Sequence, residues 1–100
     1  MYIATNRFRI TLGREADFVE VWRQRDSHLA DVPGFKQFHL LRGPSDEAST
    51  LFVSHSTWEN AEAFQAWTRS EAFRAAHAGA GQQRGLYLGH PQFEGFEVVL

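Results

Sequence analysis

One hundred residues make a single domain (1–100) with one core, and 43% hydrophobic residues, including nine Phe and three Trp, favour packing over disorder. A net charge of −2 argues against a nucleic-acid partner, and the absence of Cys rules out disulfides, thiolate catalysis and Cys-based zinc sites. No basic-flanked apolar leader is present, nor any run near the ~20 apolar residues that span a bilayer, so a cytoplasmic location without membrane contact is the expectation.

The first ten residues alternate. Tyr2, Ala4, Asn6, Phe8 and Ile10 share one face of a strand, and Ile3, Thr5, Arg7 and Arg9 share the other. From about Arg14 to Leu29 the period becomes helical, with Phe18, Val21, Trp22 and Leu29 on one stripe. Pro33-Gly34 breaks that helix. A strand over Phe35 to Arg42, a turn through Gly43-Pro44-Ser45-Asp46 and a strand through Leu51-Phe52-Val53 predict an antiparallel hairpin. Ser56-Thr57-Trp58-Glu59 has capping-box spacing and predicts a second helix to about Thr68. Ser70 begins a short third helix, ended by Gly79 and Gly81. The stretch Gly79 to Gly95, rich in Gly, Gln and Pro, predicts a long loop, and Phe93 to Leu100 a last strand. The order β-α-β-β-α-(α)-β is that of an α+β, ferredoxin-like sandwich. The sheet face turned away from the helices carries apolar residues such as Ile3, which predicts a homodimer.

Three residues do not fit a plain core. Asn6 shares the inward face with Ala4, Phe8 and Ile10, so its amide either bonds to backbone at an edge or bulge, or points at a ligand. His77 lies on the stripe Phe73, Ala76, His77, Ala80 and is either a satisfied core histidine or a ligand. The small neighbours Ala75, Ala76, Ala78 and Ala80 leave space beside its ring for a large flat molecule whose metal takes the free nitrogen. Trp67, one helical turn after Ala63 and Phe64, either packs in the core or lines a pocket. Tyr87 and His90 are weaker candidates for iron ligation because they stand in the loop. His28, His39 and His55 show no metal-ligand spacing and read as surface or strand residues. No phosphate-cradling loop, dinucleotide fingerprint or Gly-x-Ser-x-Gly is present, so electrons or cofactor come from outside.

The stretch Ala63-Phe64-Gln65-Ala66-Trp67-Thr68-Arg69-Ser70-Glu71-Ala72-Phe73-Arg74-Ala75-Ala76-His77 resembles the AFxxWxxSxxFxxAH signature of the haem-degrading branch of the antibiotic-biosynthesis-monooxygenase superfamily, and Asn6-Arg7 matches that branch's Asn-Arg in the first strand. The resemblance implies a dimeric α+β barrel holding one haem per subunit between helices and sheet. It implies that His77 is the axial iron ligand, that Trp67 presses the macrocycle out of plane and that Asn6 hydrogen-bonds on the distal side. Phe73 belongs to the same signature, and Arg74 or Arg84 would meet the haem carboxylates. The implied reaction is O2-dependent opening of the porphyrin, with electrons from a reductase or other external reductant, releasing iron and a bilin-type product. The Gly79 to Gly95 stretch departs from the better-known members in composition. Rival readings are a cofactor-free monooxygenase of the same superfamily acting on polyketide or quinol substrates, a non-catalytic haem-binding protein, and a purely structural dimeric module.

Overall fold

Strict alternation in the N-terminal residues produces the central strand β1, Tyr2–Thr11, in which Ala4, Phe8 and Ile10 are buried and Arg7 and Arg9 exposed. The computed structural model describes residues 1–25, 29–70 and 85–100. Helix α1 (Glu15–Arg23) follows, then a single 3-10 turn at Leu29–Asp31. Strands β2 (Phe35–Ser45) and β3 (Ser49–Trp58), helix α2 (Ala61–Thr68) and strand β4 (Gln92–Glu97) complete the described elements. The sheet is antiparallel with order β2-β3-β1-β4. With two helices lying on one of its faces, this is the α+β, ferredoxin-like fold.

Phe18 is fully buried on the sheet-facing side of α1 and touches Phe8 (5.2 Å) and Phe52 (5.0 Å). With Ile10 and Leu86 they form the core, and each such side chain contributes about 1.5–3 kcal/mol by leaving water. A second aromatic cluster lies under α2, where Trp58, fully buried, meets Phe35, Phe64 and Trp67. Helix α1 has no side-chain N-cap. Instead the Glu15 carboxylate accepts from Gly13 N–H (3.0 Å) and Thr50 Oγ1 (2.8 Å), tying the helix start to β3. The Thr50 hydroxyl is the main reason its pKa lies below the usual range.

Boundaries differ from the sequence-based expectation at several points: helix α1 ends at Arg23 rather than near Leu29, and β4 at Glu97 rather than Leu100. The hairpin strands are longer: β2 runs through Gly43-Pro44, and the turn shrinks to the residues around Asp46, whose Oδ1 accepts from the N–H groups of Ala48 and Ser49 (2.8 Å each). Pro44 is tolerated because β2 is an edge strand and the register shifts between Arg42 and Ser45. Ser56 does not cap a helix. Strand β3 continues to Trp58, because Thr57 and Trp58 pair with Ile3 and Tyr2, and Asn60 caps α2 by accepting from Ala63 N–H (2.8 Å). The stretch expected to be a loop to Gly95 contributes to the core. Leu86 is fully buried, and Thr11 N–H→Leu86 O (3.0 Å) and Leu88 N–H→Arg9 O (2.8 Å) extend pairing along β1 beyond the end of β4. The third helix of the sequence reading lies outside the described residues.

Candidate active site

The register of the sheet places Asn6 in a row with Ser54 of β3, Leu40 of β2 and Phe93 of β4. This row lies on the helix-covered face, between the core under α1 and the aromatic cluster under α2. Asn6 is half-buried, and its amide makes no hydrogen bond to a described residue. Bonding to backbone at an edge or bulge, the simpler of the two expectations, is therefore not what the structure shows.

Trp22 of α1 closes over this row. Its ring touches Phe8 (5.9 Å) and stacks on Phe38 (5.4 Å, 23°), residues that stand in the rows on either side of Asn6. The indole Nε1–H is buried without a hydrogen-bond acceptor among the described residues. Arg25 lies with its guanidinium 4.1 Å from the Trp22 ring centre. It is half-buried and forms no ion pair among the described residues, and burial lowers its pKa without removing its charge. Burial also raises the Tyr87 pKa, partly offset by the positive charge of Arg25. Two donors and a cation without acceptors thus gather on one side of the sheet. The i,i+3 spacing of Trp22 and Arg25 is ordinary for a helix, and only the packing shows that the indole N–H and the guanidinium have no acceptor among the described residues.

Trp67 is half-buried on α2 and packs on Trp58 (5.4 Å) and Phe64 (6.2 Å). It lines a groove of about 600 Å³ together with Pro33, Gly34, Asn60, Ala63 and Ala66, on the side of α2 that meets the turn before β2. Gly34 makes this turn possible: its φ is +83°, and a Cβ there would stand 2.5 Å from Ala63 Cβ. Asn6 does not line this groove. The two residues are linked through aromatic contacts instead, since Phe64 touches Trp67 and stacks on Phe93 (5.5 Å, 7°), the β4 neighbour of Asn6. Tyr87 is no mobile loop residue: its ring packs on Phe8 (6.2 Å) and Phe18 (5.7 Å), whereas His90 is exposed. His77, Phe73, Arg74, Arg84 and His28 lie outside the described residues.

The model of the antibiotic biosynthesis monooxygenase family matches residues 1–79. The chain belongs to this family. Among curated relatives it is 35% identical over 98 residues, 98% of this chain and 89% of the other, to "Heme oxygenase (mycobilin-producing)" of Mycobacterium tuberculosis. It is 30% identical over 81 residues, 81% of this chain and 75% of the other, to "Heme-degrading monooxygenase" of Bacillus thuringiensis. Among solved structures it superimposes on the heme-degrader MhuD of Mycobacterium tuberculosis, which has two hemes bound in its active site. The TM-score is 0.74 at 33% identity, covering 100% of this chain and 97% of the other. SnoaB of Streptomyces nogalater, a cofactor-independent oxygenase, shares the fold with a TM-score of 0.69 at 21% identity, covering 99% of this chain and 94% of that one. The monooxygenase fold therefore carries more than one chemistry, and the site residues decide between them. No helix among the described residues is long and apolar enough to cross a membrane.

Proposed function

We propose that this monooxygenase degrades haem: it binds the porphyrin between the helices and the sheet and opens the ring with O2 and electrons from an external reductant or reductase, releasing iron and a bilin-type product. The observation that carries the reading is Asn6, a half-buried amide on the helix-covered face with no hydrogen-bond partner among the described residues. The amide is not sealed from solvent, so the fold does not require a protein partner for it, and it can bond to a ligand in the cleft. The relatives named for haem degradation point to the same ligand.

When bound, haem supplies both the redox-active iron and the ring carbon that is oxidised. The chain supplies position and exclusion of water. His77 would offer an imidazole nitrogen to the iron, as the resemblance to the family signature implies. The Asn6 amide N–H orients the oxygen side by hydrogen bonding, since an amide has no proton to give at neutral pH. Trp67, backed by Trp58, would present a rigid edge to a bound porphyrin. Arg25, a half-buried cation with no carboxylate partner among the described residues, suits a haem carboxylate and joins Arg74 and Arg84 in that role. The open face of the sheet, with Leu41 and Phe96 exposed and Ile3 and Val53 half-buried, is covered by a second copy in a homodimer.

The test is an absorbance titration with haem, followed by ascorbate under air. The expected result is a saturable Soret band that then decays to a bilin-type spectrum, with His77→Ala binding haem weakly or not at all. No Soret change in the wild type would defeat the haem reading and favour a cofactor-free oxygenase. Binding without decay would leave a haem carrier.

A further inference from the structure

Thr50, Ser54 and Ser56 of β3 stand on the helix-covered side of the sheet, where a core strand ordinarily carries apolar residues. The outer two have work in the fold. Thr50 Oγ1 donates to Glu15 (2.8 Å) and accepts from Ser45 Oγ (2.7 Å). Ser56 Oγ accepts from Trp58 Nε1 (2.9 Å) and donates to Ala4 O (3.3 Å). Ser54, between them, makes no hydrogen bond to a described residue. It is buried, at 7% exposure, yet its oxygen is not sealed from the cleft. Nothing among the described residues uses this hydroxyl.

The register shows where it stands. Ser54 is directly opposite Asn6, and side chains so placed on an antiparallel pair have Cβ atoms about 4.5–5.5 Å apart. Leu40 lies beyond Ser54 and Phe93 beyond Asn6, so the two polar groups are enclosed by apolar ends of one row. Phe8 and Phe52 fill the next row on one side. The next row on the other side holds Ala4 and Ser56, whose hydroxyl is already engaged. An O–H and an amide N–H on such a base can reach one acceptor atom above them, each at about 2.7–3.0 Å. Two fixed donors aimed at one point stabilise negative charge there.

We propose that Ser54 is a second donor of the active site, hydrogen-bonding beside Asn6 to one acceptor atom on the oxygen side of the bound haem. The inference rests on the haem reading. A single bond from Asn6 leaves that atom free to swing, whereas two donors fix its direction and the ring edge that it faces. Ser54 thus governs which product forms, not whether haem binds.

The experiment adds fluoride to the ferric haem complex of the full chain and follows its absorbance, since fluoride binds the iron as an anion that accepts hydrogen bonds. Ser54→Ala should keep its haem affinity and lose fluoride affinity by roughly three- to tenfold, the worth of one hydrogen bond. Ser54→Thr retains a hydroxyl and should restore it. With ascorbate in air, the wild type and Ser54→Thr should give one product spectrum and Ser54→Ala a mixture. Amide spectra of both variants should show the wild-type fold. Wild-type fluoride affinity in Ser54→Ala, with haem bound, ends the role of Ser54 and leaves the haem reading standing. Equal loss in Ser54→Ala and Ser54→Thr assigns the effect to packing and likewise overturns the donor. A wild type that shows no Soret change ends both readings.

Discussion

Asn6 separates stability from catalysis because it gives the fold nothing that a smaller side chain would lose. Its amide bonds to no described residue, so Asn6→Ala should change unfolding free energy by no more than about 0.5 kcal/mol, measured by urea denaturation without haem. Turnover should nevertheless fall roughly ten- to a hundredfold, the worth of one lost hydrogen bond to a developing charge, while haem affinity persists. Trp67→Phe keeps an aromatic ring on Trp58 but removes the indole edge. It should also bind haem and bleach it more slowly, or give a different product spectrum. Both are read as loss of the Soret band with ascorbate in air. Wild-type rates and products in either variant would remove that residue from the reaction. Alternation along β1 made the inward direction of Asn6 legible. The lack of a partner was not, because hydrogen bonds depend on residues from β3, β4 and the helices.

At the scale of elements, the entrance to α2 is the point where local pattern and long-range pairing disagree. Ser56-Thr57-Trp58-Glu59 has the spacing of a cap, yet strand pairing with Tyr2 and Ile3 carries β3 to Trp58 and moves the helix start to Asn60. Pairing wins because it satisfies backbone groups on both sides of β3, which lies inside the sheet between β1 and β2. Two substitutions distinguish the roles. Asn60→Ala should cost about 1 kcal/mol and speed amide exchange in the first turn of α2, where Ala63 N–H loses its acceptor. Ser56→Ala should leave that exchange unchanged. It should cost about 1–3 kcal/mol for a different reason: Ser56 Oγ accepts from Trp58 Nε1 (2.9 Å), and the fully buried indole would lose its acceptor. Faster exchange in α2 of the Ser56 variant would restore the capping-box assignment.

For the molecule as a whole, the sheet has one face under its helices and one that is not covered by any described element. Leu41 (45% exposed) and Phe96 (49%) lie on the second face, which is more apolar surface than a strand exposed to water needs. A stable pairing buries on the order of 1,200 Å² or more, and a sheet face is a surface large enough to supply it. Light scattering at micromolar concentration should give about twice 11.4 kDa for the wild type. Leu41→Glu should shift it to the monomer with its circular dichroism retained. A wild type that runs as a monomer would end the dimer reading, and haem binding by that monomer would show that the cleft is complete within one chain.

The sequence by itself determined the direction of each residue along β1, the apolar stripe of α1, the order of the elements and the family signature around Trp67. Those properties follow from periods of two and 3.6 residues, which a strand or helix carries locally whatever it packs against. Tertiary structure decided where β3 ends, that Leu86 belongs to the core, that the Trp22 indole N–H has no acceptor among the described residues while Arg25 lies on its ring, and that His39 faces His55. Each of these depends on register or packing between segments far apart in the chain. A one-residue slip would turn every side chain of a strand to the other face, and burial against both helices and the neighbouring strands is what fixes the register.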